Sequence, residues 1–123
     1  MRFRAFTVLS ALGLTAVTVS AVLGAYQPVP IFTLLAHAST YDRQDVVVTG
    51  IVKSVGSYTD ESGKKYVIFD LCSPETTCVQ IYAWGQTHVA SGVSKTVRGQ
   101  FWAVRNFGNR TVHNEIEAAE GSP

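Results

Sequence analysis

The stretch Val46–Val55, reading VVVTGIVKSV, constrains the fold of this chain more than any other. Three β-branched residues in succession, then Thr49, then Ile51-Val52 beyond Gly50, form a strand pattern. The glycine interrupts it. Inside a strand, glycine marks a bulge, a tight bend or the close approach of another backbone. A long strand that turns at such a point can serve two sides of a small closed barrel.

Four further strand segments follow. Tyr66–Cys72 and Cys78–Trp84 alternate with period two, a third runs from about Val93 to Phe107, and the last from Thr111 to Ala118. Turn residues separate them: the polar Tyr58–Lys65 around Asp60-Glu61-Ser62-Gly63, then Ser73–Thr77, the glycine-flanked Gly85–Gly92, and Gly108-Asn109-Arg110. Five such strands in so short a chain cannot cover two sheets as a sandwich. Closure into a barrel buries one face of every strand and removes the edges. The expected fold is therefore all-β, a five-stranded barrel over residues 46–118, with residues 119–123 a disordered tail.

Parity assigns the faces. Val67, Phe69 and Leu71 oppose Tyr66, Ile68, Asp70 and Cys72; Val79, Ile81 and Ala83 oppose Cys78, Gln80, Tyr82 and Trp84. The first set in each pair is wholly apolar and is assigned to the core. Val97, Gly99, Phe101 and Ala103 follow it, with Arg98, Gln100, Trp102 and Val104 outside. In the last strand Val112, Asn114, Ile116 and Ala118 face in, and Thr111, His113, Glu115 and Glu117 face out. Asn114 is the odd core member and needs hydrogen-bond partners if buried.

Composition matters mainly at the N-terminus. Charged residues are 15 % of the chain and hydrophobic residues 46 %, and between Arg4 and Asp42 no charged residue occurs. The basic head Met1-Arg2-Phe3-Arg4 precedes an uncharged run, Ala5–Gly24, interrupted by serine and threonine. Residues 1–25 are expected to be a signal peptide, with an uncleaved membrane anchor as the alternative. Small residues at Ala21, Gly24 and Ala25 offer cleavage points, and Ala36-His37-Ala38 offers a later one. Loss of Arg2 and Arg4 leaves 10 − 2 = 8 basic against 9 acidic side chains, a net charge of −1. In an exported chain, Cys72 and Cys78 read as a disulfide flanking one turn; the alternative is two free thiols in a cytosolic protein.

Residues 26–45 form a linker and a short helix. Pro28 and Pro30 stop any helix running on from the leader. Ile31, Leu34, Leu35 and Ala38 then follow i, i+3, i+4, i+7 spacing, a two-turn helix suited to plugging one end of the barrel.

This pattern resembles the oligonucleotide/oligosaccharide-binding (OB) fold, and more narrowly small exported bacterial OB-fold proteins and nucleic-acid-binding OB domains of the tRNA-anticodon type. The residues that carry the likeness are Ile31–Tyr41 with Tyr41-Asp42 before the first strand, and Val46-x-Val48-x-Gly50-x-Val52. They continue in Tyr66–Leu71, Val79-x-Ile81 and Val97-x-Gly99-x-Phe101. The resemblance implies a Greek-key barrel preceded by a short helix. The chain departs from it at Gly85–Gly92, too short for the helix that usually joins the third and fourth strands.

No catalytic motif occurs: the sequence has no G-x-S-x-G, no H-E-x-x-H and no phosphate-binding loop. The protein is expected to be non-enzymatic and to need no cofactor. The outward residues Tyr66, Tyr82, Trp84 and Trp102, with Arg98 and the neighbouring Lys65 and Arg105, form a candidate binding face. Aromatic rings beside cations suit stacked bases, sugars or a protein partner. Export and the net charge of −1 weigh against nucleic acid, whose binding depends on neutralising phosphates. Asp70 is a candidate ion-pair partner for Arg98 or Arg105. A haem- or metal-handling role would rest on His113 alone, since His37 and His88 belong to other elements.

Overall fold

The structure is a computed structural model and describes residues 26–85 and 88–119. The expected leader, its cleavage points at Ala21, Gly24 and Ala25, and all but the first residue of the expected tail lie outside those residues; the later cleavage point, Ala36-His37-Ala38, falls within the described helical segment. Element order is β1 (Gln27–Pro28), α1 (Ile31–Ala36), α2 (Ala38–Tyr41), β2 (Asp45–Thr59), β3 (Lys65–Cys72), β4 (Cys78–Trp84), β5 (Ser94–Phe107) and β6 (Arg110–Ala118).

The mixed sheet closes into a ring. β2 pairs with β3, β3 with β4, β4 with β6, β6 with β5, and β5 returns to β2. Every contact in the ring is antiparallel except the short parallel one, Gln80–Tyr82 against Glu115–Glu117. Two long strands make closure possible. β2 pairs with β5 over Asp45–Ile51 and with β3 over Ile51–Thr59, so it changes partner beside Gly50. β5 does the same, pairing with β2 up to Gln100 and with β6 from Gly99 onward.

Glycine sits at each hand-over because backbone comes close there. A Cβ on Gly50 would lie 2.7 Å from the Cys72 carbonyl oxygen and 3.0 Å from Ile31 Cδ1. A Cβ on Gly99 would run into the Glu117 carbonyl oxygen and lie 2.8 Å from Ile116 Cγ2. The actual irregularity in β2 lies further on, between Lys53 and Gly56, where Ser54 takes φ 55°. Gly50 is thus a point of close approach, and the bulge falls on Ser54-Val55, just before Gly56.

The interior is largely the one that parity assigns, but Cys72, assigned to the outer face, is 1 % exposed, and Ala103 and Ala118 are only partly buried. Val67, Phe69, Leu71, Val79, Ile81, Val97, Phe101 and Ile116 share one buried cluster with Val46, Val48 and Val52. Ile31 and Leu34 of α1 are fully buried against it, so the helix does cover the core. That helix ends at Ala36 rather than Ala38, where His37 leaves helical geometry, and α2 carries the chain to Tyr41. The segment after it is tied to β5: Arg43 N–H donates to Phe101 O at 2.6 Å, Phe101 N–H to Gln44 O at 2.9 Å, and Ala103 N–H to Asp42 Oδ1 at 2.8 Å.

The last strand departs from simple alternation. Asn114 adopts φ 55°, and no paired residues stand between Trp102–Glu115 and Val104–His113. Asn114 is half-buried, not a core residue, while Glu115, expected in solvent, is only 2 % exposed. Ala119, assigned to the frayed tail, still donates its N–H to Arg98 O at 2.8 Å. Cys72 and Cys78 are disulfide-bonded. They are direct register partners, and Ser73 N–H donates to Thr77 O at 2.8 Å across the turn they enclose.

Candidate functional site: an aromatic stack and a capped tryptophan

The pairing register builds the site. Outward positions of β3 and β4 place Tyr66 opposite Trp84 and Ile68 opposite Tyr82, while β2 sets Tyr58 opposite Tyr66. Cross-strand neighbours of this kind bring aromatic rings into contact. Tyr58 and Tyr66 stack with centroids 5.4 Å apart and planes 22° apart, and Tyr66 and Tyr82 with 4.9 Å and 12°. Trp84 leans against both, 5.1 Å from Tyr66 and 5.2 Å from Tyr82, at 59° and 67°.

Stacking has a consequence for recognition. Tyr66 has both faces covered, by Tyr58 and Tyr82, so the centre of the stack offers its edge and hydroxyl rather than a face. Lys64 Nζ lies 4.3 Å from the Trp84 ring centre. Burial is the main cause that pushes the Tyr82 hydroxyl above its ordinary pKa of 10.0. Nearby Tyr66, Glu115 and Glu117 push the same way, and Arg105 opposes them.

Trp102 belongs to a second group on the same outer surface, reached across β6. Arg105 Cζ lies 4.7 Å and Arg43 Cζ 5.3 Å from its ring centre, and Arg105 also lies 4.8 Å from the Phe107 ring. Arg105 Nη1 donates to Glu117 Oε1 at 2.8 Å. Glu115, opposite Trp102 in register, is held above its ordinary carboxyl pKa by burial first, then by Glu117, with Arg105 and Arg110 opposing.

The proposed face therefore divides. Tyr66, Tyr82 and Trp84 come together; Trp102 joins Arg105 instead. Arg98 is with neither group, its guanidinium lying 5.6 Å from the Tyr26 ring, because its β5 position faces Val47 of β2. Lys65 lines a hollow with Tyr58 and Tyr66. Asp70 faces Lys53 and Gln80 in register, and the ion pair of Arg105 is made with Glu117. His37, His88 and His113 are exposed and lie in separate elements, and no cluster of three or more metal-ligating side chains occurs among the described residues.

Tyr58, Lys64, Arg43, Glu115 and Glu117 were not assigned to the face from sequence. Tyr58 looked like the start of a turn because β2 runs four residues beyond the expected Val55. The alternation continuing through Gly56-Ser57-Tyr58 was the available signal. Compared with protein-family models and with curated proteins, the chain matches none.

Proposed function

We propose that the protein is an exported, non-enzymatic binding module of the OB type, whose outer aromatic face meets a protein, oligosaccharide or small ligand. Ring order β2-β3-β4-β6-β5, with its single parallel contact, supports a Greek-key barrel of that type. The buried helix residues Ile31 and Leu34 support an N-terminal helix as the plug of such a barrel. The N-terminal run and the disulfide support export.

One observation carries the binding reading: the Tyr58–Tyr66–Tyr82 stack with Trp84 stands outside the apolar core, on a surface the barrel does not need for burial. Tyrosine and tryptophan provide large contact area with few rotatable bonds, and stacking fixes them in advance. The alternative, a single-stranded nucleic-acid binder, requires free ring faces for bases. Here both faces of the central Tyr66 are taken up by Tyr58 and Tyr82, and Glu117 brings a carboxylate to the same surface. A haem- or metal-handling role would still rest on His113 alone.

The test is a titration followed by tryptophan emission at low and high salt, with wild type and Tyr66→Ala. Ligand-induced change that is insensitive to salt and lost in the variant is expected. Affinity for oligo(dT) that falls steeply with salt would overturn the reading in favour of nucleic acid.

A further inference from the structure

We propose that Trp102 and Glu115, beneath Arg105, form a slot for a hydroxyl group of a neutral saccharide chain. This rests on the binding reading of the outer face and names the ligand class for it. Trp102 Nε1 and Glu115 Oε1 are both buried, and neither has a hydrogen-bond partner among the described residues. The two residues are direct partners across β5 and β6, which sets their Cβ atoms about 4.5–5.5 Å apart. Buried donors and acceptors are nearly always paired, so an orphaned donor and an orphaned acceptor on paired residues call for a group that satisfies both.

A hydroxyl does so, accepting from the indole N–H while donating to the carboxylate. A phosphodiester has no proton to give at neutral pH, and any phosphate meets repulsion from Glu115 and Glu117. An ammonium group cannot accept from the indole.

Access runs past Arg105. Its guanidinium covers the Trp102 ring and is paired with Glu117 through side chains 23 % and 31 % exposed. Ion pairs this close to solvent hold a side chain weakly. Glu117 also lines two surface hollows, one of about 270 Å³ with Lys64 and Trp84, the other of about 320 Å³ with Tyr26, Asp45 and Gln100. Both hollows include Ala118, so they flank the C-terminal end of β6, one outward residue pair along from Trp102 and Glu115. Carboxylates, a carboxamide and a tryptophan lining these hollows match a chain of sugar rings, whose edges are polar and faces apolar. A ligand hydroxyl that donates to Glu117 competes with Arg105 and frees it to swing off the slot.

The experiment measures binding of cellotetraose, chitotetraose and maltotetraose to the folded protein by calorimetry, with oligo(dT) as the charged control. Trp102→Phe keeps the ring and removes the N–H; Glu115→Met keeps the length and removes the acceptor. At least one tetrasaccharide is expected to bind regardless of salt, and each variant, checked to be folded by its melting transition, to weaken it at least about tenfold. Absence of binding by all three up to about 10 mM overturns the proposal, as does a bound structure in which only a trapped water bridges the two atoms. Saccharide binding lost in Tyr66→Ala but untouched by both slot variants overturns the slot alone and leaves the outer-face reading in place.

Discussion

Replacing Gly99 by alanine tests the closure of the ring directly. Gly99 stands where β5 leaves β2 for β6, with Val46 on one side and Ala118 on the other. The added methyl would collide with the Glu117 carbonyl oxygen, with Ile116 Cγ2 at 2.8 Å and Ala118 Cα at 2.9 Å. Two of these three neighbours are backbone, so no side-chain rotation relieves the contact. Overpacking in a tight core costs about 1–3 kcal/mol where side chains can yield, and a backbone obstacle places Gly99→Ala at the upper end, about 3 kcal/mol. For a domain of this size that lowers the melting temperature by roughly 12–24 °C. Gly92→Ala is the control. Its φ is +90° but nothing lies within 4 Å of the added carbon, so only the left-handed backbone cost applies, about 1–2 kcal/mol. Urea unfolding of both variants, read by tryptophan emission, gives the two values. Gly99→Ala within about 1 kcal/mol of wild type would refute the claim that close backbone approach demands glycine at the hand-over.

Three further outcomes follow from the same geometry. Removing the disulfide as Cys72→Ala/Cys78→Ala should lower stability by about 2 kcal/mol, the chain-entropy value for a loop this short, in oxidising buffer only; equal stability of the variant and the oxidised protein would count against it. Asp42→Ala should cost about 1.5–3 kcal/mol by leaving the Ala103 N–H without its charged acceptor, measured in urea, whereas an unchanged midpoint would show the latch to be idle. The raised carboxyl of Glu115 predicts a pH dependence. Native structure favours its protonated form, so its contribution is fully present below the ordinary value of 4.5 and is lost as pH rises through the raised one. Glu115→Gln removes that loss. The stability difference between variant and wild type should therefore grow from pH 4 to pH 7, and a difference independent of pH would contradict the burial of the charge.

Period-two alternation carried most of the fold. It separates Val67, Phe69, Leu71, Val79 and Ile81 from their neighbours without ambiguity because β3 and β4 are regular. It fails where the backbone leaves the pleat. Ser54 and Asn114 both take positive φ, and neither residue announces this in sequence as a glycine would. Glycine in a strand permits a bulge, a bend or a close backbone approach, and sequence alone does not choose among them at Gly50. What selects glycine there is the Cys72 carbonyl on a strand that pairing alone brings close, a tertiary fact with no local signature.

The binding face was legible by direction but not by depth. Parity places Tyr66, Tyr82, Trp84, Trp102, Glu115 and Glu117 on one outer surface, and the register does join them into a band across β3, β4, β6 and β5. Parity is silent on which of those residues are covered, because cover comes from neighbouring strands and from Arg105, which lies over Trp102 and grips Glu117. Arg98 and Arg105 are both basic, lie on one strand and are both near Trp102 in sequence. They separate because β5 changes partner between them, leaving Arg98 beside β2 and Tyr26, and Arg105 beside β6. The hand-over at Gly99 that closes the ring is thus also what divides the cations, and it decides that the tryptophan beneath a guanidinium is Trp102.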